Sequence, residues 1–339
     1  MYSIPTGSTL GPALFNIYIN NLPKSSKGKV FCYADDACIV YAGANWDSTF
    51  DLATRDLIDV HKWYTSMSLQ LNLTKTKYMT LSITSTGQPP DNMTLTIPSS
   101  DNQLTYLDKT TNIRYLGVFI DHHLKWTVHT QTLTKKMRYL MHIFNNLRRV
   151  CSNKILRMIY HSFAQSLLQY CICAWGGAYD NTLNPLRRTQ NILLRIILKK
   201  DRLFHTNTLY ELFDVFPLTD LYFYKLTLYS IKREHLWPVN DNPYQTRRTG
   251  QIQTIRIHKS LTCRHFSYLG RKFYCTIPLE LKMLKDRPLI LKYKTKEWLK
   301  TQNFEINTFY QYRKFNTYLY LLTNITVFEE RNFCYLYCL

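Results

Sequence analysis

The sequence predicts an α+β protein: an antiparallel sheet with helices first, then a mostly helical, basic part. Three observations predict it. Two β-rich runs, Val30–Tyr33 and Ala37–Tyr41, flank an Asp pair in a hairpin pattern. Apolar residues then step by three and four from Phe50 to Met67, one face of an amphipathic helix. From about residue 127 the period becomes helical throughout. The chain has 339 residues, 45% of them hydrophobic, enough for a sizeable core and a globular rather than disordered protein.

In chain order, the loop Pro5–Pro12 is rich in Gly, Ser and Pro and leads into a helix-like apolar run, Ala13–Ile19. Lys24–Lys29 is polar, contains Gly28 and reads as a connection into the hairpin. Phe50, Ala53, Leu57, Val60, Tyr64 and Met67 form the dry face of the next helix, with Asp51, Arg55, Asp56 and Asp59 on its wet side. Leu71–Lys77 leads into a strand-like run, Tyr78–Ile83. Thr84–Ser100 is a loop or loose hairpin, and Ile113–Ile120 reads as a further strand. Beyond it Leu133, Met137, Leu140, Phe144 and Leu147 make an apolar stripe, and Lys135, Arg138, His142, Asn145 and Arg149 a second stripe opposite. Residues 153–170 and 185–200 are two more helices. These shifts divide the chain into 1–126, mixed α+β; 127–215, helical and basic; and 216–339, to which no role is assigned.

Lys and Arg total 43 against 23 Asp and Glu, a formal net charge of +20. Such an excess draws polyanions, nucleic acid or an anionic membrane surface. The nine cysteines follow no disulfide spacing, and neither Cys171-x-Cys173 nor Cys334-x3-Cys338 has a second pair at zinc-finger distance, so reduced intracellular thiols are expected. The first residues lack the basic and apolar pattern of a signal peptide, and no apolar stretch has membrane-spanning length. The expectation is an intracellular protein, nuclear or cytoplasmic, with no membrane partner and no obligate protein partner inferred.

The chemistry centres on Asp35 and Asp36. Two carboxylates at a hairpin tip between apolar strands are rigidly held yet open to solvent. A hard cation such as Mg²⁺ takes a few carboxylates and keeps sites free for phosphate oxygens and water. An isolated Asp pair is more simply a turn; the neighbouring motifs change that. Tyr33-Ala34-Asp35-Asp36 resembles the Tyr-x-Asp-Asp box of reverse transcriptases. Ile4-Pro5-Thr6-Gly7-Ser8-Thr9-Leu10-Gly11-Pro12 looks like the preceding Pro-Gln-Gly-Ser-x-Leu-Gly-Pro box, and Ile17–Pro23 continues it in the manner of jockey-like non-LTR retrotransposons. Leu71-Asn72-x-x-Lys75-Thr76 is similar to the next block, and Tyr115–Asp121 with Leu124, Trp126 and His129 to the primer-grip block. Leu168-x-Tyr170, Ala174-Trp175-Gly176, Leu186-x-x-x-Gln190 and Arg195 follow the post-catalytic region, so that the ordered match covers roughly residues 1–215.

The resemblance implies a partial polymerase palm followed by a helical thumb. Asp35 would be a ligand of catalytic Mg²⁺, assisted by Asp36. Tyr33 would lie against the primer end, and Gly7, Ser8 and Gly11 would let backbone approach template and nucleotide. Lys75 would sit near the triphosphate, although the residue alone reads more simply as a solvated lysine. Tyr115, Leu116 and Gly117 would belong to a hairpin under the primer, with Leu116, Val118 and Ile120 buried. Lys135, Arg138 and Arg149 would meet duplex phosphates, as would Arg187, Arg188, Arg195 and Lys199. The implied partners are an RNA template and an RNA/DNA primer–template duplex. Two departures matter. Thr6 stands where the family has Gln. The family also carries a further metal-binding Asp, and fingers, ahead of the first box matched here. The expectation is therefore an N-terminally truncated polymerase with an incomplete two-metal site, or a non-catalytic RNA/DNA-binding module. A third possibility is a poorly folding product with an unpaired strand edge. Asp47 and Asp51 follow the hairpin on a helix and have no reason to supply the missing ligand.

Overall fold

The computed structural model describes residues 8–82, 87–98, 104–237, 239, 252, 263–302, 304 and 332–338. It is a mixed helix-and-sheet protein of two compact units, Met1–Leu124 with Glu329–Leu339, and Lys125–Phe328.

The first unit opens with helix α1, Gly11–Ile19, whose first turn holds Pro12. The Tyr18 hydroxyl donates to the Met67 carbonyl. Strands β1 (Lys29–Tyr33) and β2 (Asp36–Gly43) pair antiparallel, Tyr33 opposite Asp36, which leaves Ala34 and Asp35 as a two-residue turn. Helix α2, Trp46–Ser66, follows, its start fixed by a reciprocal cap between Asn45 and Ser48. Next comes β3, Lys77–Leu81. A small hairpin of β4 (Thr96–Pro98) and β5 (Leu104–Tyr106) leads to β6, Asp108–Lys109. A second hairpin is formed by β7 (Asn112–Tyr115) and β8 (Val118–Asp121). The last strand, β9 (Asn332–Cys338), lies in the region left without a role and sits between β2 and β3, giving the order β1-β2-β9-β3-β6. The pairing of β3 with β6 is parallel and the others in this sheet are antiparallel.

Alternation along β2 decides how this sheet is covered. Ile39 and Tyr41 pack with Phe50, Ala53, Leu57 and Val60 of α2. Cys38 and Val40, on the other face, pack with Ile113, Tyr115 and Ile120 of the β7–β8 hairpin. A strand covered on both sides reads as a continuous apolar run, as Ala37–Tyr41 does.

Three expectations are corrected here. Ile113–Ile120 is not one strand: Leu116 and Gly117 both have positive φ, 45° and 81°, and turn the chain back. Two successive positive φ values are what a type I′ hairpin needs, and Gly supplies one without cost. In that turn Leu116 is half-buried, as is Ile120, while Val118 is buried. Asp56 does not face water. It is 1% exposed and accepts hydrogen bonds from the Tyr41 hydroxyl at 2.9 Å, Ser26 Oγ at 2.5 Å and the Lys27 amide at 2.8 Å. Helical periodicity put it on the polar face; those donors make burial tolerable.

The second unit is helical. Helix α3 spans Thr127–Leu147. Residues 153–170 are a segmented helix: α4 (Asn153–Ile159), a π-helical stretch Tyr160–Gln165, and α5 (Ser166–Gln169). After α6 (Ile172–Trp175) comes α7, Asp180–Leu198, which starts before the expected 185 and contains Pro185. Then follow α8 (Thr206–Phe213), α9 (Leu218–Lys232), α10 (Phe266–Thr276), α11 (Leu279–Lys282) and α12 (Pro288–Lys300). One core runs through them, from Leu133, Met137, Leu140 and Phe144 of α3 to Phe223 of α9 and Phe273 of α10. Gly176 belongs to this packing: a Cβ there would lie 2.4 Å from Tyr222 Cδ2.

Candidate active site

The Asp pair sits at one end of the five-stranded sheet. Tyr33 is 65% exposed, Asp35 is exposed, and Asp36, the first residue of β2, is half-buried. Ala34 holds φ at 52°, a left-handed conformation that costs a residue with a Cβ on the order of 1 kcal/mol. The two-residue connection forces it, because such hairpins need positive φ within the turn. Along β2, Asp36, Cys38 and Val40 share a face, which is the face covered by the β7–β8 hairpin.

Lys75 is brought to the same end of the sheet. Cys38 aligns with Tyr337 of β9, and Tyr337 with Lys77 of β3. Cys38 and Lys77 are thus two strand spacings apart, about 9.6 Å. Asp36 lies two residues before Cys38 and Lys75 two residues before Lys77, and β2 and β3, both antiparallel to β9, run the same way, so the two residues lie on the same side. The turn that carries Lys75 is locked by Asn72. Its carbonyl accepts from the amides of Lys75 and Thr76 and from Thr76 Oγ1, and its Oδ1 accepts from Thr74 Oγ1 at 2.7 Å. Asn72 is therefore the residue that fixes this block, and the Lys75 side chain is exposed.

Of the other predicted positions, Gly7 lies outside the described residues. Ser8 Oγ accepts the Gly11 amide at 3.1 Å, at the first turn of α1. Leu116 and Gly117 form the β7–β8 turn, and Tyr115, paired with Val118, ends β7 beside it.

The basic stripe of α3 is on the surface. Lys135, Arg138 and His142 are exposed, Asn145 is half-buried, and Arg149 is exposed in the turn just past the helix. Tyr139, beside Arg138, is 71% exposed, an aromatic that the charge pattern did not single out. The second expected basic face is corrected. Arg187 pairs with Asp180 at 2.8 Å and also donates to Asn184. Arg195 donates to the Phe204 carbonyl and to Thr206 Oγ1. Both guanidiniums tie α7 to its own surroundings, and only Arg188 and Lys199 of that face are exposed. Gln190 is structural too. It is 1% exposed, donates to Tyr160 Oη at 2.9 Å and to the Phe216 carbonyl, and accepts the Leu218 amide. His129 stacks edge-on against Trp175 at 5.4 Å; burial, and then Lys136, hold its pKa down to about 4. A cleft of about 860 Å³ elsewhere in this unit mixes Asp180, Asp214 and Asp220 with Arg187, Lys296 and Lys300, so its charges offset one another.

Comparisons with known proteins fit this arrangement. Residues 2–120 match the family described as Reverse transcriptase (RNA-dependent DNA polymerase). Over those residues the chain is similar to a reverse transcriptase domain, and the relatives it resembles over a longer stretch are polymerases of mobile elements. It is 27% identical over 209 residues to the RNA-directed DNA polymerase from mobile element jockey of Drosophila funebris, covering 57% of this chain and 21% of that protein. It is 24% identical over 208 residues to the "Probable RNA-directed DNA polymerase from transposon BS" of Drosophila melanogaster, 57% of this chain and 22% of that protein. The "Probable RNA-directed DNA polymerase from transposon X-element" of the same fly is 21% identical over 207 residues, again 57% of this chain and 21% of that protein. The match thus spans about a fifth of the length of these relatives, 21% to 22%. No solved structure matches the chain.

Reverse transcriptases use divalent metal ions. Asp35 and Asp36 are hard oxygen donors of the right chemistry for one. Among the described residues no group of three or more His, Cys, Asp or Glu is placed to hold a metal. Among the described residues, too, no helix is long and apolar enough to cross a membrane.

Proposed function

We propose that residues 1–126 are palm, and 127–215 thumb, of an RNA-directed DNA polymerase, and that this chain grips a primer–template duplex without extending it. The exposed, strained Ala34–Asp35 turn on a rigid hairpin carries this reading. Backbone strain at a solvent-open carboxylate is typical of a functional site, and Lys75 stands at the same end of the sheet. Asp35 and Asp36 would hold Mg²⁺, which supplies charge neutralisation at phosphate oxygens when bound. A two-ion phosphoryl transfer needs a further carboxylate from outside the described residues, so no catalytic step is assigned to this chain. Tyr33 would lie along the primer end, and Ser8, Gly7 and Gly11 along the template. Tyr115, Leu116 and Gly117 would lie under the primer.

The duplex grip falls to α3. Lys135 to Asn145 covers about 15 Å of helix axis, which matches the rise of roughly four base pairs at about 3.4 Å each. Lys and Arg reach phosphates without reading sequence, as a polymerase requires. The test is fluorescence anisotropy with a labelled RNA template and DNA primer across a salt series, run beside primer extension with Mg²⁺. Binding should weaken steeply with salt, survive Asp35→Ala, and give no extended product. Extension abolished by Asp35→Ala would overturn the non-catalytic part; absent or salt-insensitive binding would overturn the whole.

A further inference from the structure

The five-stranded sheet is continuous only through β9. Without it, β1–β2 and β3–β6 would be separate pairs. β2 would bare its backbone groups over Ala37–Gly43 and β3 over Lys77–Leu81. Two facing rows of unpaired donors and acceptors, about 9.6 Å apart, make a slot one strand wide. Its polarity is fixed, since β9 runs antiparallel to both neighbours.

The occupant comes from far away in sequence. Its unit comprises Met1–Leu124 and Glu329–Leu339, with all of Lys125–Phe328 between the two pieces. The occupant, Asn332-Phe333-Cys334-Tyr335-Leu336-Tyr337-Cys338, has no charged residue, no Pro and no Gly. Aromatic, uncharged and free of strand breakers, it has the composition of a segment that pairs readily with any open edge. The ladder it makes with β2 and β3 is a set of backbone bonds, and the same segment of another copy would make the same set.

We propose that the slot between β2 and β3 is a strand-acceptor site, that residues 332–338 occupy it exchangeably, and that a second copy of the chain can supply the same segment in trans. The proposal is independent of nucleic-acid binding. In the full chain, Tyr335→Pro removes an amide from the middle of β9, where Tyr335 pairs with both Val40 and Met79, and so opens the slot. A labelled peptide of residues 332–338 should bind this variant at least about tenfold more tightly than the unaltered chain, in proportion to the fraction of open slots. A scrambled peptide should not bind. Equal affinity for the two chains, equal binding of the scrambled peptide, or no binding by a variant that keeps its cooperative helical melt would overturn the proposal.

A second measurement stands if Tyr335→Pro does not fold. Ala37 lies opposite Cys338, at a Cα spacing of about 4.5–5.5 Å, within the roughly 4.4–6.8 Å that a disulfide spans. Isotope-labelled and unlabelled Ala37→Cys chains are mixed, oxidised and mapped by mass spectrometry. Links from position 37 to Cys338 that join labelled to unlabelled chains, and increase with concentration, support exchange. Links within single chains only, at every concentration, overturn it.

Discussion

Helices α3 and α7 look alike as sequence and differ as structure. Each is amphipathic, each buries a Leu-rich stripe in the same core, and each carries cationic residues along the rest of its surface. On α3 the stripe of Lys135 and Arg138 is exposed. On α7, Arg187 is held by Asp180, and Arg195 by Phe204 and Thr206. The lesson is that a basic stripe is a binding surface only where no nearby group has claimed the charges. α3 has no acidic residue in its 21-residue span, whereas Asp180 lies seven positions before Arg187 on α7 itself.

Reversing charge on both helices gives the largest effect and breaks the comparison most directly. Lys135→Glu with Arg138→Glu and Arg149→Glu should weaken primer–template binding about a thousandfold at low salt, since three phosphate contacts become repulsions. Arg188→Glu with Lys199→Glu should change it less than about tenfold. Equal losses from the two sets, in anisotropy titrations, would mean that the helices do not differ.

Removing the polar clamp of α7 comes next. Gln190→Ala leaves Tyr160 Oη, the Phe216 carbonyl and the Leu218 amide without their partner. Urea unfolding should show a loss of about 3 kcal/mol. A loss below about 1 kcal/mol would show that water replaces the side chain.

Acid sharpens the picture of α3's dry side. His129 is 3% exposed and titrates near 4 when folded, against 6.5 unfolded. Between those values the unfolded chain takes up a proton that the folded chain refuses, so stability falls as pH drops. The loss on going from pH 7 to pH 5 should be about 2 kcal/mol, and His129→Phe should remove that part of the slope. Parallel stability–pH curves for the two proteins would contradict it.

The smallest effect concerns the two hairpins. The β7–β8 turn has Gly117 at one of its positive-φ positions, whereas the Asp-pair turn has Ala34. Ala34→Gly should raise stability by up to about 1 kcal/mol. A neutral or destabilising change in thermal melts would show that Ala34 is not strained.

Some of this was legible before any coordinates. The hairpin around Asp35 and Asp36 and the stripes of α3 follow from local period and spacing. Such features are settled by residues within a few positions of one another: alternation, a two-residue turn, contacts three and four apart. The fold also fixed matters that local pattern points away from. Asp56 reads as solvent-facing yet is surrounded by Tyr41, Ser26 and Lys27. Ile113–Ile120 reads as one strand because apolar residues continue through its turn.

What the sequence determined by itself was the identity and order of the chemical groups: a carboxylate pair at a hairpin tip, a lysine in the connection Leu71–Lys77, a basic helix face. Tertiary structure decided which of those groups remain available. Partners tens of residues away engage Gln190, and others about ten away engage Arg195, while β9 arrives from the far end of the chain to fill the slot beside β2. The physical reason is that periodicity records which way a side chain faces on its own helix or strand, whereas hydrogen-bond satisfaction depends on what packs against that face.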